Sequence, residues 1–345
     1  MTTSTSTLND SAPRSQSRRA ALRLISTRNM SRDAWLKVRK QGIGGSDAAS
    51  AMGINPYQSA LALWMDKTGR TPNGQTERIL GQRAPMYWGT VLEPIIAEQY
   101  SKLTGRKVRR VNAVLQHPDE DKPWMLANLD FAIVGSEETH ILECKTAGEF
   151  GAKHWREGVP DYVLCQVQHQ LAVTGKQAAD VCVLICGQEL QIHRIERDDE
   201  LIEAIIRLER RFWQQVLDDT PPDPDGSDSA AQALQQLYPR DNGSTLYWQD
   251  DLTRNDEFTR LVETRSKLEA LNHYEAQLKQ ALQMQLGEAT RAELKEGHIT
   301  WRRSKDSVSL NTSRLLEKQP ELLKQYPQTR KGSRRFLIHT NDFTQ

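Results

Sequence analysis

The chain has 345 residues, 37% of them hydrophobic, enough to bury a substantial core in one domain with an appended segment. Its formal net charge of +1 hides an uneven distribution: residues 1–40 carry nine Lys and Arg against two acids, residues 291–345 twelve against six, and residues 198–251 four against thirteen. No apolar run approaches membrane-span length and the first residues lack a signal-peptide core. The four cysteines, 144, 165, 182 and 186, form no Cys-x-x-Cys pair, so the expectation is a cytosolic protein with buried reduced thiols and no zinc or iron–sulfur site.

Residues 1–25 read as a disordered basic tail, rich in Ser, Thr and Arg at its start. Ser31 to Lys40 is predicted to be a helix with Trp35 and Val38 inward. Ser46 can cap a second helix ending at Gly53, and Ser59 a third ending at Gly69. Val91, Leu92, Ile95, Ile96 and Leu103 follow helical spacing from Tyr87 to Thr104, with Gly105 as the stop. Three strands are predicted next, near Val108 to Gln116, Met125 to Val134 and His140 to Lys145. Asp161 to Thr174 reads as a helix, Val181 to Cys186 and Leu190 to Ile195 as a hairpin, and Asp198 to Leu217 as a long helix. A domain over 26–217 then gives way to an acidic, Pro-rich linker, 218–245. The remaining 246–345 reads as a long amphipathic helix carrying Phe258, Leu261, Leu268, Leu271, Leu278 and Leu282, followed by a small hairpin and a basic end.

The chemistry concentrates in Asp130 and the run Glu143-Cys144-Lys145. Alternation along a strand turns Glu143 and Lys145 the same way and Cys144 toward the core. If the preceding strand pairs with it, Asp130 lies across from them. Two carboxylates can hold a hard divalent ion and the ammonium can hold a water or steady a phosphate, which is an arrangement for phosphodiester cleavage. The same triplet also occurs as a solvated sheet face. Here each acid ends an apolar run, where an unpaired carboxylate is costly and a bound cation removes the cost. Basic ends suit a phosphate-backbone binder, and they equally suit solvated tails.

Beyond the triplet, the chain carries Trp35-Leu36-Lys37-Val38-Arg39, Gly42-Ile43-Gly44-Gly45-Ser46-Asp47, Gly53-Ile54-Asn55-Pro56-Tyr57, Trp88-Gly89 with Glu93, and Gln166-Val167-Gln168-His169-Gln170-Leu171. In order and spacing, from about Ser31 to Asp218, it resembles the viral recombinase exonucleases typified by phage lambda exonuclease and the YqaJ-like prophage proteins, within the PD-(D/E)xK nuclease superfamily. The resemblance implies an α/β fold, a restriction-endonuclease-like mixed sheet flanked by helices, here with a mainly helical C-terminal extension. It implies a metal site of Asp130, Glu143 and Glu93 with the Cys144 main-chain carbonyl, filled by Mg2+ or in its place Mn2+, and catalysis by Asp130, Glu143, Lys145 and Gln166. Arg39 and Ser46 match the residues that grip a terminal 5′ phosphate, with Trp35 beside them. The guanidinium fork and the free amides of a helix start suit that anion.

The implied activity is 5′ to 3′ digestion of one strand of linear double-stranded DNA with 5′-phosphorylated ends, leaving 3′ overhangs. Such an enzyme is expected to work with a single-strand annealing recombinase in the bacterial cytoplasm, and as a homo-oligomeric ring. Two departures stand out: Asn128 replaces a small hydroxyl two residues before Asp130, where its amide can still donate to a phosphate, and Leu129 replaces the motif's proline. A restriction or repair endonuclease and a catalytically silent DNA-binding module are the competing readings. His169 reads as a buried structural histidine.

Overall fold

The computed structural model describes residues 20–71, 80–136, 140–329 and 332–340, with side chains of 80–85 left aside. Its internal contacts divide the chain into two units, Met1–Pro239 and Arg240–Gln345.

Unit 1 begins with strand β1 (Leu22–Ser26), followed by helices α1 (Arg32–Arg39), α2 (Gly45–Ala51), α3 (Ala60–Lys67) and α4 (Leu80–Thr104). Ser31 caps α1 by accepting the Ala34 N–H, and Ser59 caps α3 by accepting that of Ala62. Gly105, at φ 71°, ends α4 in the left-handed conformation. Strands β2 (Lys107–Arg110), β3 (Ala113–Gln116), β4 (Leu126–Asn128), β5 (Phe131–Val134) and β6 (Ile141–Ala147) come next. After the short α5 (Glu149–Ala152) come α6 (Asp161–Thr174), β7 (Ala178–Ile185), β8 (Glu189–Glu196), α7 (Asp199–Leu217) and α8 (Asp228–Leu237).

Five strands form a mixed sheet in the order β2-β5-β6-β7-β8, antiparallel except for the β6/β7 pair. Helix α6 makes the crossover that a parallel pair requires. One face of this sheet packs Ile141, Val181 and Val183 against Val163, Val167 and Leu171 of α6; the other packs Leu142, Cys144 and Cys182 against Ile96 and Tyr100 of α4. A mixed sheet flanked by helices, with a mainly helical C-terminal region, is therefore the architecture.

Each of the two long predicted strands is broken in two. Residues 107–116 and 125–134 form one bent hairpin: its outer halves, β2 and β5, belong to the five-stranded sheet, while β3 and β4 form a second antiparallel sheet, β1-β3-β4. The break falls at Leu129-Asp130. The cause is the loop before α2, which is stitched to the hairpin: Ile43 N–H donates to Trp124 O at 2.7 Å and Leu126 N–H to Ile43 O at 2.8 Å.

Other differences from the sequence reading have local causes. Residues 22–25, assigned to the tail, are strand rather than tail because they pair with β3; residues 1–19 lie outside the described residues. Helix α4 starts at Leu80, about two turns before Tyr87. The linker contains α8, whose Ala230 and Ala233 are buried against α3, and Ser59 N–H donates to Ser229 Oγ at 2.9 Å. Cys165 and Cys182 are buried as expected, but Cys186 is exposed, in the turn that joins β7 to β8.

Unit 2 holds α9 (Leu252–Leu286), the hairpin β9 (Arg291–Leu294) and β10 (Gly297–Thr300), and short helices α10 (Thr312–Lys318) and α11 (Glu321–Gln325). Trp248, Phe258, Leu261 and Phe336 line a hollow beside the start of α9, whereas Leu268, Leu271, Leu278 and Leu282 stand exposed along it.

Gly42 reports how tightly the stitched loop fits. A Cβ there would overlap the Trp124 carbonyl and come within 2.9 Å of Leu126 Cγ. Gly42→Ala is expected to cost about 1–3 kcal/mol, read as a lower denaturant midpoint at unchanged slope. An unchanged midpoint would mean that this contact does not hold the loop to β4.

Candidate active site

Strand β6 places Glu143 and Lys145 on the face covered by α6, as alternation predicts, with Cys144 on the α4 side. The β5/β6 ladder ends at the Phe131↔Leu142 pair. Beyond it the Cys144 N–H loses its strand partner because the chain has crossed into the other sheet, and Asp130 Oδ2 accepts it instead at 2.9 Å. The sheet break thus brings the Asp130 carboxylate to β6.

Glu143 is 3% exposed, yet both its oxygens are occupied. Oε1 accepts from Lys145 Nζ at 2.8 Å and from Gln166 Nε2 at 2.5 Å, and Oε2 accepts from Gln170 Nε2 at 2.8 Å. Lys145 Nζ also donates to Gln166 Oε1 at 2.8 Å. Gln166 and Gln170, four apart on α6, share the face that looks onto the strand. The structure therefore brings Asp130, Glu143, Lys145 and Gln166 together.

Glu93 comes from α4, which approaches β6 at Gly89, where a Cβ would sit 3.8 Å from Thr146 Oγ1. Its carboxylate is paired with Arg110 of β2, whose guanidinium also lies over the Phe131 ring. Burial pushes the Asp130 pKa well above the ordinary carboxylate range, and the charges of Glu143 and Glu93 push it further. Burial works against charge on Lys145, but Glu143 and Asp130 outweigh it and hold the ammonium above the usual lysine range. Burial and the same acids push the Cys144 thiol up, so it stays protonated. Asp130, raised by burial and by the charges of Glu143 and Glu93, forms with those two acids the kind of oxygen donor set a hard divalent cation takes. Among the described residues no three His, Cys, Asp or Glu side chains already converge as a cage, because Glu93 is turned to Arg110 and Glu143 to its amide and ammonium partners.

A second cluster lies at the end of α1 and the start of α2. Arg39 Nη2 donates to Ser46 Oγ at 2.9 Å and to Asp47 Oδ1 at 2.5 Å, with the guanidinium 4.9 Å from the centre of the half-buried Trp35 ring. Ser46 does not cap α2. The cap position is Gly44, and Asp47 fulfils the capping function by accepting the Gly44 N–H at 3.1 Å. Lys67 of α3 donates to Asp47 Oδ2 at 2.7 Å. Burial favours the neutral acid at Asp47, but Arg39 and Lys67 overcome it and hold the pKa below the usual range. Asn128 turns its amide toward Ala113 O, 3.5 Å away, rather than toward Asp130, and its own carbonyl accepts from Gln170 at 3.3 Å.

The two clusters touch at Gly45, where a Cβ would meet Gln166 O and Gln170 Cγ at 3.2 Å. Gln170 and Asp47 stood in the sequence motifs without an assigned role, and Lys67 and Arg110 were not singled out. A signal for Gln170 existed: the Gln-Val-Gln-His-Gln run puts polar groups on every side of a helix with an apolar surround, which burial tolerates only with partners.

These features define a sheet-borne carboxylate–lysine cluster beside an arginine cluster. Residues 34–177 match the family model described as the YqaJ-like viral recombinase domain. Among curated proteins, it is similar to the uncharacterized protein YqaJ of Bacillus subtilis (strain 168), at 42% identity over 219 residues, 62% of this chain and 66% of that protein. A protein of African swine fever virus (strain Badajoz 1971 Vero-adapted) is 35% identical over 192 residues, 49% of this chain and 53% of that one. The chain thus spans just under two thirds of the first relative and about half of the second. Among solved structures, an alkaline exonuclease from Laribacter hongkongensis aligns with a TM-score of 0.45 at 23% identity, covering 54% of this chain and 93% of that one. A phage related exonuclease from Haemophilus somnus 129PT aligns with a TM-score of 0.35 at 10% identity, covering 52% and 96%.

His169, fully buried as expected, ties α6 to its neighbours: Nε2 donates to Leu126 O at 2.8 Å and Nδ1 meets Glu209 Oε1 of α7 at 2.7 Å. Burial opposes charge on His169, but Glu209 and the carbonyl outweigh it and raise the pKa above its ordinary 6.5. The stabilising contribution is therefore complete below that value and is lost as pH rises through the higher folded value. Unfolding free energy of the whole chain should fall as pH rises from the ordinary histidine range through the higher folded value, and Glu209→Gln should flatten that fall. Parallel pH profiles would show that the pair does not titrate in this way.

Proposed function

We propose that this chain is a Mg2+-dependent 5′ to 3′ exodeoxyribonuclease of phage or prophage recombination, one that removes the 5′-ended strand of linear duplex DNA and leaves 3′ overhangs. The observation that carries the proposal is the meeting of Asp130, Glu143, Lys145 and Gln166 directly against the helix that bears Ser46 and Asp47. Asp130, Glu143 and Glu93, with the Cys144 carbonyl, would hold Mg2+, or Mn2+ in its place. When bound, the ion supplies a Lewis acid and a more acidic water. Burial and the charges of Glu143 and Glu93, which together raise Asp130, support this assignment.

The roles of the protein groups follow from their positions. Lys145 and Gln166 share Glu143 Oε1 and can hold a water beside a phosphorus atom. The Lys145 ammonium also offsets charge that builds on the phosphoryl oxygens. Arg39, stacked on Trp35 and bonded to Ser46, presents a guanidinium that can fork onto a terminal 5′ phosphate. That grip would make cutting depend on an end. By the same reading the enzyme works in the bacterial cytoplasm with a single-strand annealing recombinase, and a ring of copies around the duplex would keep it from leaving between cuts.

The test is a linear duplex with Mg2+, labelled on one strand and ended by 5′ phosphate or 5′ hydroxyl, beside a closed circle. Mononucleotides from phosphorylated linear ends are expected, and none from Glu143→Ala. Nicking of the circle would establish an endonuclease, and no cleavage with Mg2+ or Mn2+ a binding module. Lys145→Ala is expected to slow cleavage by at least about a hundredfold while leaving DNA binding in place; unchanged cleavage would remove Lys145 from the chemistry. Sizing by sedimentation reports on the ring.

A further inference from the structure

We infer that Lys67, which cannot itself reach a ligand, sets the charge of the proposed 5′-phosphate pocket and so determines its preference for a phosphorylated end. The inference rests on the assignment of Arg39 to that pocket.

The side chain of Lys67 is 1% exposed, against 26% for Arg39 and 7% for Asp47. Its ammonium is held at two points: it donates to Asp47 Oδ2 at 2.7 Å and to the Arg39 main-chain carbonyl at 2.8 Å. One carboxylate therefore serves two cations, Arg39 through Oδ1 and Lys67 through Oδ2. The consequence is electrostatic. Arg39 and Asp47 alone would be a neutral pair, and a guanidinium already neutralised at 2.5 Å has little attraction left for a dianion. With Lys67 behind the carboxylate the cluster carries one net positive charge, and the cation able to meet a ligand is Arg39. The bond from Lys67 to the Arg39 carbonyl also ties the end of α1 to the start of α2, fixing the guanidinium beside Ser46 Oγ.

This makes Lys67 a positioning residue, and charge arithmetic separates it from a purely structural one. Lys67→Met removes the charge at similar length and leaves a neutral pocket. Adding Asp47→Asn removes the carboxylate as well and returns the net charge to that of the native cluster, while the amide oxygen can still accept from Arg39.

The experiment measures the dissociation constants of the full chain for one short duplex ended by 5′ phosphate or by 5′ hydroxyl, by fluorescence anisotropy in EDTA so that no cutting occurs. Thermal unfolding checks each variant. Native protein should favour the phosphorylated end by about tenfold or more. Lys67→Met should lose most of that ratio, and the double variant Lys67→Met, Asp47→Asn should regain it to within about threefold. A folded Lys67→Met with the native ratio, or a folded double variant as indifferent as the single, overturns the inference. Should Lys67→Met not fold, the double variant decides by the same criterion. Arg39→Ala keeps the two levels apart: loss of the ratio there with retention in Lys67→Met sinks only the role of Lys67. Retention in Arg39→Ala places the phosphate elsewhere and sinks the pocket.

Discussion

The bond from the Cys144 N–H to the Asp130 carboxylate marks the place where two sheets part, and the site is organised around that parting. A strand continuing past Phe131 would have satisfied the Cys144 amide with a backbone carbonyl. The chain turns away because β4 is held by the loop at Ile43, so a side chain must do the work, and the side chain available is an acid. An amide buried without a partner costs about 1–3 kcal/mol, so the geometry that delivers Asp130 to Glu143 also keeps the sheet edge satisfied. Structure and chemistry make the same demand on one residue. The acids then crowd one another, and the fold tolerates it through Lys145, Arg110 and two glutamines.

Helix α6 carries most of the remaining polar traffic. Gln166 and Gln170 hold Glu143, Gln168 donates to Glu196 O and accepts the Asp198 N–H, and His169 joins β4 to α7. A run of amides inside a core is stabilising only when each is partnered. Here the partners lie on β6, on β4 before Asp130, at the end of β8 and on α7, and Gln170 Oε1 alone of these side-chain atoms on α6 is left without one. The orientation of Glu143 is thereby fixed by the same side chains that hold the layers in place.

Much of this was legible in the residues. Asp161 and Gly175 bound α6, the alternation of β6 put Glu143 and Lys145 on one face, and the family pattern brought Arg39 and Ser46 together. What was not legible depended on long-range contacts. The runs 108–116 and 125–134 read as unbroken strands because the bend comes from a loop some eighty residues earlier in the chain. Strand β1 is exposed along its whole length, so it lacks the inward apolar alternation by which strands are recognised. Helix α8 follows prolines and acids that look like a linker, and only its alanines, small enough to seat on α3, show that it packs. At the second cluster the parts played by Asp47 and Lys67 were not legible, since nothing in the spacing tells that two cations twenty-eight residues apart would meet at one carboxylate.

The absent side chain at Gly45 has a consequence of its own. The backbone of α2 lies there against the Gln166 carbonyl and the inner atoms of the Gln166 and Gln170 side chains, so α2 rests closely on α6. The distance between the backbones that carry the arginine cluster and Glu143 is then set by the close seat of α2 on α6. Any molecule long enough to touch both places is measured against a rigid gauge, and its fit is decided by bond lengths it cannot change.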